Sequence, residues 1–216
     1  MNVNVQRFPW WAKFEKVIFY GFLWIGTVLI LWTSMDYFIP GRLHGFLFER
    51  LHLAMQSWWK YTLLAHVVGG LLCLVSSLGQ YSKWCLRNCP RVHRYFGRIY
   101  ALAIITLVFP TGVALSFTAK GGTSGMVGFL MLSVMTLGSL LLGMVAIYKK
   151  NLRAHQAWIT RSFALVTTAI TFRTLQILFH YGGVPPVLNY QLSLWLSIVI
   201  NLVLAEYYLF KTKNKK

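Results

Sequence analysis

Carboxylates are the scarcest functional groups in this chain: four Asp and Glu stand against 21 Lys and Arg in 216 residues. Glu15, Asp36, Glu49 and Glu206 lie far apart in sequence, which argues against paired-carboxylate hydrolysis. The three cysteines are an odd number without secreted spacing, so no disulfide framework is expected. Cys85, Cys89 and His93 recur every four residues, but Pro90 interrupts them and no second cysteine pair completes a zinc site, so they read as free thiols. Walker, GxSxG and HExxH motifs are absent, as are internal repeats and low-complexity linkers.

What the chain has in abundance is apolar sequence, at 57% hydrophobic residues, 12% charged and a mean hydropathy of +0.58. These values describe an all-α polytopic membrane helix bundle, with residues 1–216 forming a single integral membrane domain in a lipid bilayer. Six apolar runs are each near the roughly 20 residues that span a bilayer. They cover about 17–32, 61–81, 95–118, 126–148, 158–181 and 187–210. The first follows Arg7, Lys13 and Lys16 but has no small-residue cleavage site after it, so it reads as a retained helix. Between the first two spans, residues 44–60 place Leu47, Phe48, Leu51, Met55 and Trp58 at helical spacing, which predicts a short interfacial helix. Pro110 predicts a kink in the third span.

The basic residues lie in connectors rather than on one amphipathic face, so their excess is a topology signal and nucleic acid is not expected. Sixteen of the 21 fall in the N-terminal arm, the second and fourth connectors and the C-terminal tail. The positive-inside rule then puts both termini in the cytoplasm. Trp10, Trp11, Trp58, Trp59, Trp84, Tyr148, Trp158 and Tyr207 fit interfacial aromatic belts.

Against this background, two polar clusters stand out. His93-Arg94-Tyr95-Phe96-Gly97-Arg98 opens the third span, and His155 with Arg161 opens the fifth. Facing imidazoles are natural axial ligands for haem iron, and Arg94, Arg98 and Arg161 can pair with its propionates. Gly97, four residues after His93, leaves a flat gap on the same helix face. The plain alternative is that these are boundary residues meeting lipid phosphates. Near the other end, His66 lies about 9 Å below Lys60 by helical rise, followed by Gly69 and Gly70. Arg173 lies deep in the fifth span and needs a partner: a propionate, a quinone oxygen or backbone carbonyls. His180 follows seven residues later, making His66 with His180 a second candidate ligand pair. His44 and His52 read as surface residues, and Glu206 as half of a boundary ion pair. Gly138 and Gly143 permit close helix approach, within the monomer or in a homo-oligomer.

The pattern of His66 and its glycines, His93-Arg94-Tyr95-Phe96-Gly97-Arg98-Ile99-Tyr100, His155-Gln156-Ala157-Trp158-Ile159-Thr160-Arg161-Ser162 and Arg173 resembles the domain-of-unknown-function 2306 family of predicted bacterial inner-membrane proteins. The resemblance covers about residues 60–180. It implies a compact multi-pass protein of the bacterial cytoplasmic membrane and brings no settled activity. The family pattern includes His66, His93, His155 and Arg173 but not His180, which favours His93 and His155 as the ligand set. Position 159 is isoleucine where the family pattern has methionine.

Two functional expectations follow. The first is a membrane-embedded haem b electron-transfer protein, similar in design to bis-histidine membrane cytochromes. It would be quinone-linked or a haem-dependent transmembrane oxidoreductase with a redox protein partner, His66, Gly70 and Arg173 serving the quinone or a second haem. The alternative is a non-catalytic carrier or accessory subunit for an anionic or lipid-phosphate ligand. A histidine-based lipid transferase is disfavoured, because no carboxylate is placed to orient the base.

Overall fold

The computed structural model describes residues 10–39, 46–78, 80 and 88–214. Expectations involving His44, Trp84 and Cys85 lie outside them, as do the side chains of Trp10, Trp11, Glu15 and Asp36. Among the described residues the protein is helical without strands. Six helical segments are long and apolar enough to cross a membrane. The first is α1 (Trp10–Ser34), which ends in a 3₁₀ turn at Met35–Phe38. Two one-turn helices follow, α2 (Phe46–Glu49) and α3 (Leu51–Ala54), before α4 (Ser57–Leu78). The single interfacial helix expected from the sequence is thus two pieces separated at Arg50, and its last turn belongs to α4.

The third span is composite: α5 (Pro90–Ala103), a π-helical segment Ile104–Val108, and α6 (Phe109–Ser116). Pro110 explains the break. It lacks the N–H that would bond to the carbonyl of residue 106, and its ring crowds that carbonyl, so a widened turn there relieves the clash. The remaining spans are α7 (Gly122–Tyr148), α8 (Leu152–Tyr181) and α9 (Pro186–Lys213). Helices α5 and α8 begin about one to two turns earlier than hydropathy alone suggests. Their polar first turns are therefore helical, which puts His93 and His155 on regular helix rather than in connectors.

With six antiparallel crossings, Trp10 and Lys213 lie at the same end, here called the termini end; α2, α3 and the α6–α7 turn cap the opposite, loop end. Packing is dominated by α7–α8 and α8–α9, with α4 against α5, the π segment and α6, and α1 laid on α4 and α8. Leu23 and Ile30 of α1 meet Leu74, Phe163 and Ile170 in one core cluster, while Leu165, Leu194 and Ile198 form another between α8 and α9. Large apolar side chains such as Trp24, Leu102, Val134 and Val203 stand exposed along the spans, as a lipid-facing surface requires. Several polar groups inside are satisfied locally. Asn201 donates to the Ala164 carbonyl at 3.0 Å and accepts from Thr171 Oγ1 at 2.8 Å, so no amide there is stranded in a hydrocarbon environment.

Glycines set the closest helix approaches. A Cβ on Gly69 would stand 2.7 Å from Leu107 Cβ and 3.3 Å from the Val108 backbone nitrogen, so α4 rests directly on the π segment there. A Cβ on Gly143 would meet Ile159 Cδ1 at 2.7 Å, so its close approach is made within the monomer, whereas Gly138 and Gly70 have open space at that position.

Candidate functional site

Helices α5 and α8 run parallel, both starting at the termini end, and their backbones barely touch. One buried contact nevertheless fixes their relative register: Tyr100 Oη and Ser162 Oγ lie 3.0 Å apart. The Ser162 hydroxyl also lies 3.4 Å from the Thr136 carbonyl of α7. Tyr100 follows His93 by seven residues and Ser162 follows His155 by seven. Two helical turns, roughly 10 Å of rise, therefore separate each histidine from its member of the pair. By that rise both histidines come to about one level, one on each helix. They lie within electrostatic reach of each other.

The two imidazoles differ in their hydrogen bonding. His155 Nδ1 lies 2.8 Å from the Gly143 carbonyl. That carbonyl is reachable because Gly143 brings α7 against Ile159 one turn up from His155. A backbone acceptor on Nδ1 selects the tautomer in which Nε2 carries the free lone pair, the arrangement that orients metal-ligating histidines. The first turn of α8 is held by Asn151, whose side chain accepts from the Ala154 N–H at 3.0 Å. His93 is different: its Nδ1 is buried and has no hydrogen-bond partner among the described residues. Its carbonyl accepts from Gln80 Nε2 at 2.7 Å, which ties the residue before the second connector to the start of α5. A stranded ring nitrogen costs on the order of 1–3 kcal/mol. One turn up, a Cβ on Gly97 would find only Gln80 among the described residues, at 3.8 and 4.0 Å.

The arginines divide. Arg94 and Arg98 are exposed near His93, without an ion pair among the described residues. Arg161 is instead taken up by Glu206: Nε donates to Oε1 at 2.6 Å and Nη2 to Oε2 at 3.1 Å, with the guanidinium also 4.6 Å from the Trp158 ring centroid. The expected boundary ion pair of Glu206 is present, with a partner 45 residues away on another helix, and Arg161 has little freedom left for a propionate.

The second expected constellation is dispersed. His66 Nδ1 lies 3.0 Å from Thr111 Oγ1, under the helix face left bare by Gly112. His180 is exposed, with its ring edge-on to Tyr181. Counted from the loop end, His66 is nine residues into α4 and His180 one residue into α8, so their depths differ by roughly 12 Å. A shared iron between them does not fit that offset. Gly70 has open space at its Cβ position, and the packing role falls to Gly69. Arg173 lies about 12 Å below the end of α8 by helical rise, and its charge is felt at the Tyr190 phenol rather than at His66. No hydrogen bond or ion pair among the described residues joins His66 to Arg173. Cys73 is buried and Cys89 half-buried, both free, and no group of three or more His, Cys, Asp or Glu gathers among the described residues.

The DUF2306 model, described as a predicted membrane protein family, matches residues 63–209, from the first third of α4 to near the end of α9. The chain belongs to that family. The match takes in both histidines, the Tyr100–Ser162 contact and the Arg161–Glu206 pair, so the DUF2306 region contains the whole arrangement on α4, α5, α7, α8 and α9. No curated protein and no solved structure matches the chain. The Tyr100–Ser162 contact, the Gly143 acceptor and Gln80 were not assigned roles from the sequence. One signal for the first was present: residues 93 and 155, and residues 100 and 162, share the same separation.

Proposed function

We propose that this DUF2306 protein is a haem b electron-transfer protein of the bacterial cytoplasmic membrane, in which His93 and His155 would hold the haem iron and both termini are cytoplasmic. The observation that carries this reading is the placement of the two histidines at about one level on α5 and α8, one with its Nδ1 on a backbone carbonyl and the other with a buried ring nitrogen unmet among the described residues. Gly97 adds a bare helix face beside them. Bound haem b supplies a one-electron iron couple.

The chain's own residues hold and tune such a group. The Gly143 carbonyl fixes the orientation of His155 and raises its basicity as a ligand. Burial of Tyr100 and Ser162 two turns further in closes the gap toward the bundle interior and keeps it dry. Arg94 and Arg98 near His93 supply positive charge for propionates, and this charge favours the reduced iron. Arg161 acts indirectly, through Glu206, by tying α8 to α9.

The test is an absorption spectrum of detergent-purified protein expressed with adequate haem supply, oxidised and then dithionite-reduced, for wild type, His93→Ala and His155→Ala. A reduced α-band present in wild type and absent from both variants is expected. A colourless wild type refutes the reading and leaves the carrier or accessory-subunit alternative.

A further inference from the structure

At the loop end, far from His93 and His155, the chain builds a half-open cavity of about 430 Å³ between α2–α3, the α6–α7 turn and the start of α9. Its walls include Glu49, Arg50, His52, Lys120, Val187 and Tyr190. The turn is made by Gly121 and Gly122, both with positive φ (85° and 61°), a conformation that glycine adopts without steric cost. It is pinned to α9 by Gln191 Nε2 donating to the Gly121 carbonyl at 2.9 Å and, one turn on, by Trp195 Nε1 donating to Ser124 Oγ at 3.0 Å. Tyr190 is fixed in turn: its ring packs edge-on to Phe172 at 5.2 Å and tilted to Phe129 at 6.0 Å. The floor of the cavity is thus rigid before anything binds.

Among the described residues, the charges around it do not cancel. Glu49 pairs with Lys120, and burial pulls that ammonium below its usual range even with the carboxylate alongside. The other carboxylate with a described side chain, Glu206, is spent on Arg161 at the opposite end. Arg50 on the cavity wall and Arg173 on the membrane side of Tyr190 both act electrostatically on the Tyr190 phenol. Neither guanidinium has an ion-pair partner among the described residues. A guanidinium on the wall of a pre-formed cavity, without an ion-pair partner among the described residues, calls for an anion, and the volume is within the roughly 300–1,000 Å³ typical of small-molecule sites. A guanidinium fork matches phosphate oxygens in pairs, and a phosphate's one to two negative charges match the excess. Val187 on the wall gives the rest of such a molecule an apolar side to lie on.

We infer that this cavity binds a phosphate group, held by Arg50 and Lys120 on its wall. The site is independent of the haem reading, because it shares no residue with the α5–α8 gap. Its phosphate can belong to a phospholipid headgroup or to a soluble anion.

Protein in phosphatidylcholine nanodiscs distinguishes the two sources. Its unfolding temperature is measured against inorganic phosphate, with chloride at matched ionic strength as control, and separately in discs containing increasing phosphatidylglycerol. A saturable rise in one arm is expected, because a ligand that binds only the folded state stabilises it. A rise with inorganic phosphate assigns a soluble anion, and a rise with phosphatidylglycerol alone assigns a lipid headgroup. In Arg50→Gln, the half-saturating concentration should increase tenfold or more, while Lys60→Gln, an exposed cation at the same end outside the cavity, should behave as wild type. Arg50→Lys, which keeps the charge and loses the fork, is the second variant should Arg50→Gln not fold, and it too must weaken the response. No rise in either arm, or a rise undiminished in the Arg50 variants, overturns the assignment.

Discussion

Gly97 separates a packed helix from a cofactor-binding face more sharply than the histidines do. Replacing a ligand histidine changes a polar group whose loss disturbs any fold, whereas a methyl group at Gly97 meets, among the described residues, only the Gln80 side-chain amide at 3.8 and 4.0 Å, ordinary contact distances. For the protein alone, Gly97→Ala therefore costs nothing in packing. It should stabilise α5 by about 0.5–1 kcal/mol, because alanine has less backbone freedom to lose on folding. With a flat macrocycle lying on that face from His93, the same Cβ intrudes on the ligand, and Gly97→Leu fills the space. Haem content after purification should fall modestly in the alanine variant. In the leucine variant it should fall about tenfold or more, equivalent to some 1.4 kcal/mol of binding free energy. The assay pairs pyridine-haemochrome quantification with unfolding in mixed detergent micelles, so that lost haem and lost fold are read separately. Full haem and an unchanged reduced spectrum in Gly97→Leu would refute the placement of the cofactor against α5. Destabilisation of the haem-free protein by Gly97→Ala would show that protein, not ligand, occupies that space.

Gly69 and Gly70 should differ sharply despite being neighbours. Gly69→Ala drives a Cβ against Leu107 and the Val108 backbone and should cost about 1–3 kcal/mol in unfolding experiments. Gly70→Ala should stay within about 0.5 kcal/mol, and equal costs would contradict the α4–π-segment contact. Tyr100→Phe and Ser162→Ala should each destabilise by about 1–2 kcal/mol. Combined, they should show a coupling of about 0.5–1.5 kcal/mol in a double-mutant cycle; strict additivity would remove the contact that sets the α5–α8 register.

The six spans, their order and the unequal division of basic charge were legible in the chain because the bilayer imposes a length and a composition on each span independently of its neighbours. Pro110 likewise announced a break, since its missing N–H acts within one helix, though not that a π turn would absorb it. The residues of the site were also visible as types: histidines at two helix starts, a glycine four residues on, and an arginine too deep to be unpartnered. Who meets whom was not. Arg161 looks the same in sequence whether it faces a propionate or Glu206, because the choice depends on α8 and α9 packing side by side. His66 and His180 remain a candidate second pair in sequence, and only their depths along antiparallel helices separate them. Local physics along one chain determines what can span a membrane and where it must turn. Only tertiary packing, which sets the relative rotation and register of the helices, decides which polar side chains face one another and which are already spent.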